Sequence, residues 1–357
     1  MNLFSDVKLA PDDPIMGVVE DFKNDPREGK ANLSIGVYSD AEGKVPVLQA
    51  VSRAEQFIAN NPIPKAYLPM VGFDQYVQEV QKMLFGEENP LLEEGRVATM
   101  QTVGGTGALK IGADFLKELY PDSKAYISDP TWDNHHAIFA GAGLDVGYYP
   151  YFDNETKGVN FDALYRFFSE LPARSIVLMH VCCHNPTGAD LSLEEWEKVA
   201  ELIKERDLVP FLDMAYQGFS EGLEEDAKAI EVFIRHDLNF LISNSYSKSF
   251  SIYSERIGAL SVVTNSKDEA ERVMSRLKKM VRAIYSSPPS HGAYIVQQVL
   301  SSPELKQMWL DELAGMSSRI KEMRRKFVTL LNSKQDKVDF EFINRQAGMF
   351  SYSGLDK

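Results

Sequence analysis

The sequence predicts an α/β protein whose large domain contains a mainly parallel sheet, joined to a smaller α/β domain. Apolar, β-branched segments alternate with helix-period segments through the middle of the chain, which is typical of parallel sheets covered on both faces. The 357 residues exceed the usual size of one hydrophobic core. Apolar residues make up 44% and charged residues 25%, an ordinary composition for a folded protein that argues against disorder.

The predicted sheet comes from the middle of the chain. Ser192, followed by Glu194 and Glu195, has the pattern of a capped helix start. Six segments have the apolar pattern of buried strands: 124–129, 146–152, 175–181, 209–215, 240–245 and 257–263. Helix-period segments lie between the strands at 106–119, 132–140, 161–169, 192–206 and 226–236.

The two ends of the chain have a different pattern. Long helices are predicted at 267–285, 290–300 and 303–332, followed by short strands at 338–343 and 348–354. The first forty residues contain a helix at about 14–23 and a strand-like segment at 33–38. We therefore expect an N-terminal arm (1–12), a large domain (45–312), and a small domain built from 13–44 and 313–357.

Charge and cysteine content narrow the class of protein. A net charge of −14 repels nucleic-acid phosphates and anionic membranes, so neither is an expected partner. The only cysteines, Cys182 and Cys183, are adjacent and rarely pair in that position, which gives no sign of an oxidising compartment. The sequence has no secretory signal pattern and no apolar run near eighteen residues. The expected location is the cytoplasm.

Polar side chains gather where the predicted strands end. Ligands of open parallel sheets bind beyond the carboxyl ends of the strands, so these side chains are the candidate site. A glycine turn, GGTG at 104–107, also opens a predicted helix, where free backbone N–H groups suit a phosphate. The candidates beside this turn are Asn185, Asp213, Tyr216, Ser245, Ser247, Lys248 and Arg256.

Each of these signals has a structural alternative when taken alone. The glycine turn fits neither a dinucleotide fingerprint nor a P-loop, because position 110 is lysine and is followed by isoleucine. Asp213 could cap a helix or form a buried salt bridge, and most lysines are solvated. In the functional alternative, Asp213 faces a cationic ring nitrogen, as pyridoxal phosphate requires, and Lys248 supplies a reactive amine beside phosphate ligands.

Two other kinds of site have little support. Cys182 and Cys183 lie between His180 and His184, but adjacent cysteines coordinate one ion poorly and the sequence has no second ligand cluster. We expect no metal site. His135 and His136 lack a nearby nucleophile motif, so a hydrolase triad is equally unsupported.

Five motifs carry a family resemblance: GGTGAL, SDPTWDNH, CCHNPTG, DMAYQGF, and SNSYSKSF with an arginine six residues after it. In this order they resemble the class I pyridoxal-phosphate aminotransferases of the aspartate and aromatic branch, whose members have the fold-type-I architecture. The resemblance covers essentially the whole chain. The segments YLPM, SDPTW and LPARSIVL are more similar to bacterial tyrosine (aromatic) aminotransferases than to strict aspartate enzymes.

The resemblance implies a role for each matching residue. Lys248 would hold pyridoxal 5′-phosphate as a Schiff base and move the substrate proton, and Asp213 would face the pyridine nitrogen. Tyr67 would reach the phosphate of the neighbouring subunit and act with Lys248 and Asp213 in catalysis, which implies a homodimer with shared active sites. The other implied cofactor contacts are Trp132 on the ring face, Asn185 and Tyr216 on the phenolic oxygen, and Gly105, Thr106, Ser245 and Arg256 on the phosphate.

The implied reaction moves the amino group of tyrosine, phenylalanine or aspartate to 2-oxoglutarate. The substrate contacts would be Gly36, Trp132, Asn185 and Arg282, with Arg282 pairing with a distal carboxylate across the dimer interface. A strict aspartate aminotransferase is the alternative. The resemblance also implies residues past Lys357 that carry an arginine for the α-carboxylate. Without that arginine we expect cofactor binding with little turnover.

Overall fold

A seven-stranded sheet forms the centre of the protein in the computed structural model, which describes residues 2–9, 14–30, 32, 36–334 and 338–354. The strands are β1 (Val97–Val103), β2 (Lys124–Asp129), β3 (Asp145–Pro150), β4 (Phe152–Asp153), β5 (Gly158–Val159), β6 (Ile176–His180), β7 (Val209–Met214), β8 (Phe240–Ser245) and β9 (Ile257–Val263), with β4 and β5 forming a separate hairpin. The strand order in the sheet is β1-β9-β8-β7-β6-β2-β3, and β9 runs in the direction opposite to the other six strands.

Helices cover both faces of the sheet. They are α1 (Pro14–Asn24), α2 (Gln49–Asn60), α3 (Asp74–Phe85), α4 (Pro90–Glu93), α5 (Gly104–Leu119), α6 (Asn134–Gly141), α7 (Phe161–Glu170), α8 (Leu193–Glu205), α9 (Lys228–Arg235), α10 (Lys267–Ile284), α11 (His291–Ser301) and α12 (Pro303–Lys334). Short 3₁₀ helices occupy Glu225–Ala227, Tyr253–Glu255 and Glu341–Arg345. The mainly parallel α/β sheet predicted from the sequence is confirmed.

Two hydrophobic cores lie on opposite sides of the sheet. Side chains of α5, α6 and α10 pack on one face, as Leu109, Ile138 and Leu277 illustrate. The other helices that follow strands, together with α2, α3, α11 and α12, pack on the opposite face. No helix in the described part of the chain is long and apolar enough to cross a membrane.

The predicted start of α8 is confirmed in atomic detail. The Ser192 hydroxyl accepts the Glu195 N–H, and the Glu195 carboxylate accepts the Ser192 N–H at 2.7 Å. This reciprocal pair satisfies two backbone donors that a helix start leaves without partners.

The predicted C-terminal strands are wrong. Residues 341–345 form a 3₁₀ helix, and no strand occurs within 348–354. Asn332 Oδ1 accepts the Phe340 N–H at 3.1 Å, so this backbone N–H is not available to pair with another strand. The turn brings Phe340 and Ile343 together against Val328 in a small third core. Of the strand-like segment 33–38, residues 33–35 lie outside the described residues, and 36–38 are not in a strand.

Strand β1 and helices α2 and α3 are absent from the prediction. Thr99, Gln101 and Thr102 interrupt the apolar pattern of β1, yet all three are buried. Two of them find partners far away in the chain: the Thr99 hydroxyl lies 2.8 Å from the Ser261 hydroxyl on β9, and the Gln101 amide N–H donates to the Pro289 carbonyl at 2.6 Å. Thr102 is satisfied locally, because its hydroxyl donates to the Gly104 carbonyl at 2.9 Å.

Close contact between α5 and β7 depends on Gly112. A Cβ at this position would overlap with the ring of Phe211, which is fully buried two residues before Asp213. We predict that Gly112→Ala lowers the free energy of unfolding by about 1–2 kcal/mol, because overpacking outweighs the better helix propensity of alanine. Urea denaturation measures this change.

The matched control is Gly315→Ala, in the exposed part of α12, where a Cβ would meet nothing within 4 Å. It should raise the free energy of unfolding by about 0.5–1 kcal/mol through helix propensity alone. The same sign of change in both variants would contradict the close-packing account of Gly112.

Candidate active site

The candidate residues predicted from the strand ends come together in one cavity. It has a volume of about 570 Å³ and lies where the carboxyl ends of β6, β7 and β8 meet the first turn of α5. All seven candidates chosen at the strand ends line it: Asn185, Asp213, Tyr216, Ser245, Ser247, Lys248 and Arg256. The residues implied by the resemblance that also line it are Gly36, Gly105, Thr106 and Trp132. Tyr67 and Arg282 lie elsewhere.

Asp213 places a buried carboxylate at the floor of this cavity. It pairs in register with His180 on β6 and Ser243 on β8 and is only 5% exposed. Its Oδ2 lies 3.1 Å from His135 Nε2, and His135 Nδ1 lies 2.8 Å from the Thr131 hydroxyl. Burial raises the pKa of the Asp213 carboxyl, but the His135 hydrogen bond and nearby positive charge outweigh it and hold the pKa below its usual value. Asp213 is therefore a buried negative charge.

Lys248 lies in the turn after β8, beside Asp213. Burial lowers the pKa of its amine, the Asp213 carboxylate raises it, and the Arg256 guanidinium lowers it again, with a net decrease. The amine lies 4.7 Å from the centroid of the Tyr216 ring. A buried lysine with a lowered pKa has a larger neutral fraction near pH 7, which is the form that acts as nucleophile or base.

A cluster of donors surrounds the start of α5. Arg256 Nη1 donates to the Ser247 hydroxyl at 3.2 Å and to the Tyr253 carbonyl at 3.1 Å. Because side chains alternate along β8, Ser243 and Ser245 both face α5, and Ser243 Oγ donates to the Gly105 carbonyl at 3.2 Å. The Gly104 N–H donates to the Arg256 carbonyl at 2.9 Å. Val103, the residue before α5, supplies no side-chain cap for the next N–H groups of the first turn, which suit an anion.

Glycine lets these groups approach one another. A Cβ at Gly104, whose φ is +66°, would overlap with the Arg256 guanidinium. A Cβ at Gly105 would lie 3.1 Å from Ser245 Cβ and fill the space between helix and strand. The helix begins at Gly104, two residues before the predicted start, so both glycines belong to its first turn.

Tyr216 and Asn185 form the wall opposite α5. The Asn185 side chain lies near the Tyr216 hydroxyl, and burial raises the pKa of that hydroxyl above its usual value. The Asn185–Pro186 peptide is cis. Phe350 packs edge-on against Tyr216 with a centroid separation of 5.8 Å. These contacts fix the Tyr216 ring beside Lys248.

Several lining residues escape the sequence analysis. His180 lines the cavity at the end of β6, where the strand-end rule could have found it. In the sequence it draws attention only as part of a poorly supported zinc site with Cys182 and Cys183. Burial lowers the pKa of the His180 ring to about 3, so this ring is neutral. Tyr253 lies between Lys248 and Arg256, and Phe350 reaches the cavity from a distant segment, but neither residue carries a local signal.

Tyr67 and Arg282 are outside the cavity of their own chain. Tyr67 lies between α2 and α3 with 95% of its surface exposed. Arg282 is in the last turn of α10 and donates to the Ser286 hydroxyl at 2.6 Å. The roles implied for them across a dimer interface stay predictions.

Two groups of side chains have metal-ligand spacing. The ligand atoms of His135, His180 and Asp213 lie within 4.8 Å of one another, as do those of Cys182, Cys183 and Asp226. Asp226 already accepts the N–H groups of Gly218, Ser220 and Glu221, and Asp213 is engaged with His135. Of the first group, His180 and Asp213 line the cavity, whereas His135 is fully buried.

The cavity has the chemistry of a site for a phosphorylated aldehyde cofactor. A lysine amine, a buried carboxylate and an anion-binding helix start meet at the carboxyl edge of a mainly parallel sheet, which is where α/β enzymes bind such ligands. These features define the class as an α/β enzyme that works with a bound phosphorylated cofactor.

Comparison with known proteins identifies the family. The profile described as "Aminotransferase class I and II" matches residues 28–357. The chain is 53% identical to the aspartate aminotransferase of Pseudomonas aeruginosa and 50% identical to the aromatic-amino-acid aminotransferase of Escherichia coli, in both cases over 99% of this chain and 89% of the relative. The chain belongs to the class I and II aminotransferases, in the branch that contains the aspartate and aromatic-amino-acid enzymes.

Solved structures agree with this assignment. The aromatic-amino-acid aminotransferase of Burkholderia pseudomallei, covalently bound to pyridoxal phosphate, superimposes with a TM-score of 0.98 at 52% identity, covering 99% of this chain and 89% of that one. An aromatic aminotransferase of Psychrobacter sp. B6, cocrystallised with aspartic acid, gives 0.97 at 47% identity, with the same coverage of both chains. The protein is a pyridoxal-phosphate-dependent aminotransferase with the fold-type-I architecture.

The residues of the cavity fit pyridoxal phosphate. The uncapped first turn of α5 and the Arg256 guanidinium suit a phosphate, and the space left by Gly104 and Gly105 lets one approach. The charged Asp213 carboxylate suits a protonated ring nitrogen. The buried Lys248 amine suits an aldehyde carbon.

Proposed function

We propose that the protein transfers the amino group of tyrosine, phenylalanine or aspartate to 2-oxoglutarate, with Lys248 as the catalytic lysine. The observation that carries this proposal is the place of Lys248: this half-buried side chain lines the same cavity as the Asp213 carboxylate and the Arg256 guanidinium, and both charges act on its amine. The same Lys248 amine can serve first as the covalent anchor of the cofactor and then as a base.

Pyridoxal phosphate, when bound, supplies an electron sink that stabilises negative charge at the substrate Cα. Asp213 would hold a proton at the pyridine nitrogen, because its own charge is kept by the His135 hydrogen bond. Lys248, once free of the cofactor, would take the proton from the substrate Cα and return it on the cofactor side. Its lowered pKa supports this role, since a base must be neutral when it accepts a proton.

The remaining cavity residues would hold and orient the cofactor. Gly105, Thr106, Ser245 and Arg256 are proposed to bind the phosphate, and Tyr67 of a second subunit would join them. Trp132 would lie on the ring face, and Asn185 with Tyr216 would bind the phenolic oxygen. The contact between Asn185 and the Tyr216 hydroxyl supports a shared role for that pair.

Substrate choice is proposed from the character of the wall. Trp132, Tyr253 and Phe350 line the cavity and suit an aromatic side chain, while the absence of a side chain at Gly36 makes room for the Phe350 ring itself. A strict aspartate aminotransferase is the second candidate, and the similarity to an aspartate aminotransferase at 53% identity favours it. Arg282 would bind the distal carboxylate of aspartate in either case.

We also propose that the working unit is a homodimer with shared active sites. Tyr67 and Arg282 are exposed on their own chain and outside its cavity, as side chains that complete a neighbouring site must be. The exposed apolar side chains of Phe57 and Ile284, at the ends of α2 and α10, are also typical of an interface.

The division into an arm (1–12), a large domain (45–312) and a small domain (13–44 and 313–357) is part of the proposal. The whole seven-stranded sheet lies within 45–312, and the separate core around Val328 and Ile343 lies within 313–357. Helix α12 runs through the proposed boundary and would connect the two domains rigidly. The cytoplasmic location stays a prediction.

Replacement of Lys248 by alanine tests the central role. We expect Lys248→Ala to bind pyridoxal phosphate without a covalent bond, so borohydride reduction should add the cofactor mass to the native chain only. Transamination should fall by about 10²–10⁴-fold or more, as expected for loss of a general base. Lys110→Ala, which removes a lysine paired with Asp114 on α5, is the control and should retain both properties. Covalent labelling of Lys248→Ala would show that another residue is the anchor.

Replacement of Arg282 by leucine tests the substrate and the dimer together. Arg282→Leu should lower kcat/KM for aspartate by roughly 10- to 150-fold, which corresponds to the loss of one charged hydrogen bond. The kcat/KM for phenylalanine should change little, because phenylalanine has no distal carboxylate. Mixing Arg282→Leu chains with Lys248→Ala chains should then restore aspartate turnover, because one site of each hybrid dimer has both native residues. Equal losses for the two substrates would contradict the role of Arg282, and no recovery in the mixture would contradict shared sites.

A further inference from the structure

A buried arginine outside the cavity holds one of its walls. Arg324, on α12, is only 5% exposed. Its Nη2 donates to the Gly348 carbonyl at 2.6 Å and to the Phe350 carbonyl at 3.1 Å, and its Nε donates to the Ser351 hydroxyl at 3.4 Å. No carboxylate in the described part of the chain forms an ion pair with it, so its hydrogen bonds are directed to segment 348–351.

That segment carries Phe350 into the cavity. The Phe350 ring lines the cavity, packs edge-on against Tyr216, and lies 2.8 Å from where a Cβ on Gly36 would be. The ring therefore fills space that only a glycine at position 36 leaves open. Any shift of residues 348–351 changes the distance between Phe350 and Tyr216 and with it the shape of the wall.

Arg324 is the contact that fixes the middle of this segment. Its ends are held by other bonds: the Ala347 N–H donates to the Gly188 carbonyl at 2.7 Å, and the Gln346 side chain bonds both the N–H and the carbonyl of Tyr352. Between these ends the segment has no strand partner, and the guanidinium binds the carbonyls on both sides of Met349. The single nitrogen Nη2 binds both carbonyls, and Nε adds the Ser351 hydroxyl from the same plane. A lysine amine has no second nitrogen and cannot reproduce this set of three bonds with the same geometry.

We propose that Arg324 is a positioning residue that sets the place of Phe350 in the cavity wall and thereby the space left for the substrate side chain. The proposal rests on the proposed function of the cavity, since the wall matters only where a substrate binds. Through its hydrogen bonds to two backbone carbonyls, this residue of the long helix α12 would influence which substrate side chains fit the cavity. Arg324 itself does not line the cavity.

The first experiment compares Arg324→Met and Arg324→Lys with Arg325→Met, whose side chain is exposed on the next position of α12. Arg324→Met should lower kcat/KM for phenylalanine by about tenfold or more, mainly through KM, and change the dissociation constant of pyridoxal phosphate by less than about twofold. Arg324→Lys should recover part of the loss, and Arg325→Met should match the native enzyme. A loss that falls on kcat and cofactor affinity alike would overturn the proposal, because it would indicate general loosening of the fold.

A double-mutant cycle with Phe350→Ala separates positioning from stability. Once the Phe350 ring is absent, Arg324→Met should change kcat/KM by less than about twofold, whereas an equal factor in both backgrounds would overturn the proposal. Crystal structures of the native and Arg324→Met chains add a test that does not depend on activity. The distance between the ring centroids of Tyr216 and Phe350 should be larger in Arg324→Met than in the native chain. If the Phe350 ring does not move in Arg324→Met, this inference alone is wrong. If the ring moves in Arg324→Met but the native chain does not transaminate, the proposed function alone is wrong.

Discussion

The site depends on one buried charge, the Asp213 carboxylate at the end of β7. An isolated carboxylate in this position would be costly, and the structure offsets that cost with the His135 hydrogen bond and the nearby Lys248 amine. Thr131 in turn fixes the His135 ring, so the chain of contacts runs from a loop after β2 to the middle of the sheet. A charged Asp213 both opposes the decrease in the Lys248 pKa and gives a cationic ring its partner.

The sheet topology explains how so many functional groups reach that charge. Strands β6, β7 and β8 are parallel neighbours, so their carboxyl ends deliver His180, Asp213 and Ser245 to one edge. Antiparallel β9 begins at the same edge, which places Arg256, the residue before it, beside the first turn of α5. The positive end of α5 and Arg256 thus form one anion-binding region opposite Asp213, with Lys248 between them.

How much of this could be predicted depends on the range of the interactions. Strands β8 and β9 match the sequence prediction residue for residue, because fully buried strands have near-continuous apolar sequences. The residues at their ends follow from the strand-end rule. By contrast, Thr99 and Gln101 in β1 find their partners in segments more than 160 residues away, and the polar pattern hides the strand. Phe350 lies in a segment predicted as a strand, and its place is fixed by Arg324, 26 residues earlier in the chain. No local pattern reports a contact of that kind.

Everything proposed for this site requires that Lys248, Asp213 and Arg256 bind the same ligand. A crystal structure of the chain grown with pyridoxal phosphate measures this most directly. We expect density continuous with Lys248 Nζ, the pyridine nitrogen within hydrogen-bond distance of Asp213, and the phosphate between Arg256 and the start of α5. Cofactor bound at another place, or in this cavity with its phosphate turned away from Arg256, would contradict the account.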